Sequence, residues 1–539
     1  MPPLWRRGLV LVSGLALLAA ALFFASPAAA RAPRVLLVGT YRGVRGQFTT
    51  IQAAVLAARP GDWILVAPGD YKELGYHGEA EPAGVLITTP NLHLRGLDRN
   101  SVIVDGTKAG AKPCSGSPAD QGALGRNGVE VFKADDTWIE NLTVCNFLTG
   151  PTGGEGEQVW WNGGDGSGKM GLSGFWGNYL TATSTYASTV GGSVGPCCGV
   201  AYPAGDYGIF TSNSTNGSLS HDFASNMADA AYYIGACRQV CDQVLEDSVG
   251  ATSALCYSST NAGGYLLIEH NECVNNKTGL VSNSQNNDDQ PSPQNGACPA
   301  GVSGPLWTAS CTVWLDNYVH DNNNPDVPGN GTGLSGSGPV GTGLILAGSR
   351  YVTLAGNRVT NNGAWGELVV DLPDQESAPA GDPQCTGGIW EPNSGICYYQ
   401  AWGNVSENNS FSGNGFYGNP TNGDIGLAAL PNDPGNCFVA DKTADTANQP
   451  TGTDPPGIES NPLYTPTNGQ CLYPNGGDEG VLVGEALCAT QLVFPCPSVP
   501  QGVPAYYPRP DASFSLSMAP AQPSMPNPCA GVPRNPWCP

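Results

Sequence analysis

Four side chains in the middle of the chain have the types that act on sugars. Asp371 and Asp374 stand three residues apart, with Asp229 and Arg238 upstream. Carboxylates a few ångströms apart suit glycoside hydrolysis, one held protonated while another activates water. β-Elimination or epimerisation of a uronate instead needs a base for the C5 proton and a cation beside the sugar carboxylate. Asp371 and Asp374 are therefore the candidate acid and base, with Asp229 opposite and Arg238 as charge stabiliser. Asn261, Trp160 and Trp161 are candidate substrate contacts, since aromatic faces bury the apolar C–H surface of a sugar ring. A second set, Glu140, His221, Glu246, His270, Asp316, Gly356 and Asn408, precedes a recurring Asn. Stacked acids and imidazoles can share protons or bind a metal. Gly, Asn, Asp and His also tolerate left-handed backbone, and this set reads better as a turn. No residue is assigned as a metal ligand. Calcium enters only as a bridge between an acidic protein and a polyuronate.

What must position these residues is a repeat. IEHNECVNN at 268–276, WLDNYVHDNN at 314–323, LAGNRVTNN at 354–362 and SENNSFSGN at 406–414 share one pattern of short apolar strands and Asn corners. Such a period marks a chain winding on itself. With the corner at Asn141, Asp222, Asp247, Asn271, Asn317, Asn357 and Asn409, the bare coils are 25 and 24 residues and longer steps carry insertions. In a stack of coils about 4.8 Å apart, inward Asn side chains bond the backbone and one another. Asn276, Asn322, Asn362 and Asn414 form a second column. Leu219, Val244, Ile268, Trp314 and Leu354 are the expected inward apolar column.

Residues 48–58 read as a short helix capped by Thr49 and Thr50, placed to cover the open first coil. The helical winding is expected over 35–430, with loop insertions near 150–204, 282–310, 325–341 and 372–396. The insertions after Val281 and Asp371 leave one corner and would wall a groove that contains the GACRQVC and SSTNAGG turns. Residues 431–539, rich in Pro and Cys, read as a disulfide-pinned cap and tail, because Pro cannot extend a ladder.

FTTIQAAVLAARPGDWILVAPGDYKE followed by GVLITTPNLHLRGLDRNSVIVDGT resembles the opening of right-handed parallel β-helix proteins of the pectin-lyase-like superfamily. GVEVFKADDTWIENLTVCNF, YYIGACRQVC, SSTNAGGYLLIEHN and VHDNNNP resemble a group of actinobacterial β-helix repeat proteins without an established reaction. The resemblance implies an all-β, right-handed parallel β-helix. A polysaccharide groove along a flat sheet is what it implies for function. The full pectate-lyase calcium triad with its Arg, the polygalacturonase paired Asp and the methylesterase Asp pair are not matched here.

The bulk composition agrees. Charged residues are 12% of 539, with 74 Gly and 46 Pro, which excludes long charged helices and favours turns and short strands. A net charge of −23 disfavours nucleic acid and anionic membranes as partners. Arg6-Arg7, an apolar run at 8–25 and Ser-Pro-Ala-Ala-Ala at 26–30 read as a secretory signal over 1–30, with no membrane insertion after cleavage. Eighteen cysteines, several closely spaced, read as disulfides of an exported protein. Cysteines close in sequence are 237/241, 298/311, 385/397, 488/496 and 529/538, and the connectivity is not legible. The function expected is binding, and modification, of an extended polysaccharide by a secreted or cell-surface protein. The alternative is a non-catalytic adhesion or scaffold rod. The oligomeric state is not legible.

Overall fold

Short strands separated by positive-φ corners can close a coil of two dozen residues, and the chain does this repeatedly. The computed structural model describes residues 32–78, 82–150, 154–165, 169–188, 203–237, 241–285, 310, 312–328, 338–374, 385, 387–392, 395–417, 422–428, 436–443, 482, 485–486 and 514–539. Three parallel sheets run the length of the stack. Sheet A has twelve strands, from Val35–Val38 to Cys437–Val439; sheet B has eleven, from Gly69–Lys72 to Lys442–Thr443; sheet C has ten, from Ala83–Ile87 to Gly423–Ala428. Each coil visits A, B and C in turn, and every strand pairs with its equivalents in the coils before and after. This is a right-handed parallel β-helix. Strands at 437–439 and 442–443 carry the winding past the expected limit at 430. The expected signal at 1–30 and the cysteines at 298/311 and 488/496 lie outside the described residues. Among the described residues no helix is long and apolar enough to cross a membrane.

The interior is a file of side chains, not a globular centre. Leu245, Ile268, Trp314 and Leu354 point inward from sheet A, Cys273, Val319, Val359 and Phe411 from sheet B, and Leu280, Leu344 and Ile425 from sheet C; all are buried. Val244, expected inside, instead faces out, and Leu245 takes its place. One shift explains it: Asp247 is the positive-φ corner residue (φ 49°), and Ser248 occupies the ladder position. Asn141 is displaced likewise, at φ 58° ahead of Leu142. The true coil steps here, Asp222 to Ser248 to Asn271, are 26 and 23 residues.

Between sheets A and B, the Nδ2 of Asn271, Asn317, Asn357 and Asn409 donates to the next member's oxygen at 2.9–3.1 Å, ending on Asp441. Each also donates to a backbone carbonyl of the preceding coil, such as Asn317 to Ile268 at 2.9 Å. The column Asn276, Asn322, Asn362 and Asn414 repeats this between sheets B and C. Buried amides thus satisfy backbone groups that the two-residue corners would otherwise orphan.

The helix Ile51–Ala57 covers the first coil, with Ile51, Ala54 and Val55 in the core; Thr50 accepts from the Ala53 amide at 3.3 Å. The C-terminal segment 514–539 runs as a strap over the early coils. Ser515 pairs with Tyr186, Arg95 donates to the Ala530 carbonyl at 2.6 Å, and Trp537 packs on Leu37, Trp63 and Leu65. It borders a stack of outward rings on sheet A, Trp63, His93, Trp138 and Trp176, at 3.9, 4.0 and 4.2 Å between centroids. Cysteines close in sequence bond as Cys237–Cys241, Cys385–Cys397 and Cys529–Cys538. Cys114–Cys145 and Cys256–Cys273, distant in sequence, were not anticipated; the winding brings them together.

One buried acid interrupts the apolar file of sheet C. Glu367 stands between Leu344 and Ile425 and accepts from the Ser406 hydroxyl at 2.7 Å. Burial, then the nearby Asp441, pushes its carboxyl up to about 8. The folded chain therefore keeps this proton while the unfolded chain releases it near the usual 4.5. Its contribution is full below pH 4.5 and is lost as pH rises through 8. Glu367→Gln will flatten this slope, measured as the urea midpoint from pH 4 to 9. Asn357→Ala, which strips partners from Asn317, Asn409 and the Trp314 carbonyl, will cost roughly 3 kcal/mol or more in the same assay.

Candidate functional site

Most of the residues singled out from sequence serve the fold. Asp371 closes a strand of sheet C, Trp365–Val370, and begins an antiparallel excursion made of Leu372–Asp374, Ile389–Glu391 and Ile396–Tyr399. It is 9% exposed and accepts from the Ala401 amide at 2.7 Å and the Tyr398 hydroxyl at 3.2 Å, holding the returning strand. Asp374 is buried opposite Cys397. Asp229 precedes a different sheet C strand and accepts from the Tyr207 hydroxyl at 3.0 Å. Four coils and seven residues of strand separate Asp229 from Asp371, about 30 Å, so the two do not face one another. Asn261 heads the same column as Asp371 but lies three coils away, bonded to both backbone groups of Gln285.

Trp161 points into the core with no exposure, against Phe175; parity in a strand forces this once Val159 is inward. Trp160 faces out but is 5% exposed, stacked on Phe210 and bonded to Ser212. Neither offers a free face to a sugar. Arg238 lies outside the described residues. The insertions that begin beyond Val281 and Asp371 do leave one corner, between sheets C and A. The turn they flank is 348–351, carrying Arg350, not the GACRQVC and SSTNAGG turns, which belong to earlier coils. Arg350 is buried, lies over Trp402 at 3.8 Å and donates to the Gln400 carbonyl.

The His and Asp column at the corner of sheets A and B is a turn. Tyr179, His221, Asp247, His270 and Asp316 take φ of 49–56°. His221 and Asp247 stand 4.0 Å apart and His270 and Asp316 3.9 Å, too far for hydrogen bonds. Glu140 and Glu246 belong to the preceding strand position.

A tighter constellation lies on the outer face of sheet B, where Val319 inward forces Tyr318 and His320 outward. His320 Nε2 meets Glu272 Oε1 at 3.1 Å in the coil below, and Nδ1 meets Asp321 Oδ2 at 2.7 Å. The imidazole is stacked on Tyr318 at 3.9 Å, and the Arg358 guanidinium lies 4.4 Å over the same ring. The register continues the column Glu272, Tyr318, Arg358, Ser410, Lys442. Among the described residues between 205 and 443, four carry a Lys or Arg side chain. Lys277 and Arg350 are buried; Arg358 and Lys442 are exposed, and both lie in this column. Two coil spacings put them about 10 Å apart. The signal was present in the sequence as Tyr-Val-His-Asp at 318–321, with chemistry on the outward parity, but its partners on other coils become visible only through the register.

Asp371→Ala will therefore act on stability. Loss of its two acceptor contacts will lower the unfolding free energy by about 1–3 kcal/mol, seen as faster amide exchange around residues 397–401.

Three comparisons bear on the architecture. No family model matches the chain and no curated protein matches it. Among solved structures it is similar to the mannuronan C-5 epimerase AlgE4 A-module of Azotobacter vinelandii, at 13% identity and TM-score 0.42, over 73% of this chain and 91% of that one. An alginate lyase from Paenibacillus sp. is 12% identical with TM-score 0.36 over 75% and 97%, and pectate lyase Pel9A 9% identical with TM-score 0.35 over 77% of each. Likeness at this level carries no argument beyond architecture, and the parallel β-helix stands on the chain's own strand order.

Proposed function

We propose that this protein binds an extended acidic polysaccharide along the outer face of sheet B and exchanges a proton with it through His320. The observation that carries the reading is the column in which Arg358 and Lys442, the exposed cations among the described residues from 205 to 443, follow Tyr318, whose ring stacks on an imidazole in contact with two carboxylates. An extended glycan running parallel to the stack axis would bring its uronate groups past Arg358 and Lys442. A net charge of −23 does not forbid this, because charges beyond about 8 Å are screened at physiological ionic strength. Arg358 would neutralise a uronate carboxylate, the step that makes the neighbouring C5 proton removable, while Tyr318 keeps both guanidinium and imidazole in place. Neutral His320 would take the C5 proton on Nε2, giving up its contact with Glu272 Oε1, while Asp321 holds the hydrogen on Nδ1; the carbanion left behind is reprotonated at C5 or expels the C4 substituent. The disulfides suit an oxidising compartment, and a secreted or cell-surface location follows from the same reading.

A non-catalytic binding rod is the second reading, and one observation favours it. The corner between sheets A and B consists of single positive-φ residues followed by ladder residues, so no described residue of that corner walls the site.

Incubation with acidic and neutral polysaccharides separates these readings. Acidic polymers will bind in a salt-dependent way, and a Arg358→Ala/Lys442→Ala double variant will weaken binding by at least about tenfold; neutral polymers will not bind. New reducing ends, unsaturated uronate absorbance or exchange of the C5 hydrogen into deuterated water will report turnover, and His320→Gln will abolish it while leaving binding within about threefold. Binding without any product leaves the rod; equal binding by the double variant removes sheet B as the site.

A further inference from the structure

Glu155, Glu157 and Asp206 each place a carboxylate oxygen within 4.8 Å of the others, at the corner between sheets B and C. The sequence supplies them from successive coils: the first two from the link that leads into the strand Val159–Asn162, the third from the link into Ile209–Ser212. Glu157 and Asp206 are buried, at 0% and 2% exposure, and Glu155 is half-buried. Asp206 Oδ1 has no hydrogen-bond partner. A carboxylate that is fully desolvated, unbonded at one oxygen and pressed against two more acids costs several kcal/mol unless a cation or a proton compensates. Asp229 lies one coil further, its amide bonded to the Asp206 carbonyl at 3.1 Å, and adds negative charge.

We propose that Glu155, Glu157 and Asp206 bind a calcium ion that ties two successive coils together at this corner. The donors are all hard oxygens, with no imidazole or thiolate among them, which selects calcium or magnesium over zinc and copper. Two oxygens on opposite sides of a calcium ion are separated by about 4.6–5.2 Å, against roughly 4.2 Å for magnesium, and magnesium also prefers to keep its waters. Three carboxylates supply up to six oxygens, enough for calcium with backbone or water completing the shell. The remaining charge of Asp229 is held by the Tyr207 hydroxyl and serves as an outer contact to the same ion.

The test uses the whole purified chain, freed of metal with EDTA and then given calcium chloride or magnesium chloride alone, without polysaccharide. Calcium will raise the unfolding midpoint saturably, and magnesium at equal concentration will raise it far less. Asp206→Asn will bind one calcium fewer per chain by elemental analysis after dialysis and will lose most of the calcium-dependent shift. In EDTA the same variant will be at least as stable as the parent, because a buried repulsion has been removed. Identical midpoints for the parent chain in calcium and in EDTA would overturn the proposal, as would full retention of shift and stoichiometry by Asp206→Asn. An equal response to magnesium overturns the calcium assignment. Should Asp206→Asn not yield folded protein, Glu155→Gln at the half-buried edge is judged by the same shift and stoichiometry.

Discussion

Everything in this molecule depends on one hydrogen-bonded direction, the axis along which equivalent backbone groups of successive coils meet. The sheets supply most of those bonds, but a coil must also turn, and at a turn the backbone leaves the ladder. The Asn columns repair that loss. Asn271, Asn317, Asn357 and Asn409 carry the pairing through the corner, each with its amide nitrogen shared between a neighbouring side chain and a carbonyl. The repair also fixes register. A one-residue slip would turn each inward apolar residue to solvent and each outward acid to the core.

That constraint explains what was legible in the chain and what was not. The winding, the helix at the open end and the ladder members from Asn271 onward could be read because each coil repeats them. Two coils misled. Asp247 resembles a ladder residue, yet Ser248 fills that position with a shorter side chain, so the strand before it was read one residue out and Val244 placed inside. Asp and Asn serve both the left-handed corner and the ladder beside it, and composition alone does not separate the two uses.

The candidate site was less legible than the fold for a related reason. Asp371, Asp374 and Asp229 looked available because they border long insertions. Insertions, however, must be anchored, and a carboxylate that accepts a backbone amide is a common anchor, as Asp371 does with Ala401. Trp161 falls in the stretch expected as a loop insertion at 150–204, but Val159–Asn162 is a strand of sheet C, and half of any strand faces the interior. The cluster around His320 is assembled from Glu272, Tyr318 and Arg358 on three coils. Their sequence spacing depends on how many residues each coil inserts, so no local motif announces it.

The strap formed by the last two dozen residues has a consequence for biogenesis. Its contacts with Arg95, Asn141 and Trp63 bridge more than 380 positions of chain. Coils made first during synthesis thus wait until residues 514–539 have been made before the outer indole of Trp63 is sheltered. A product terminated before residue 514 would therefore display this apolar edge of the first coils to chaperones and proteases.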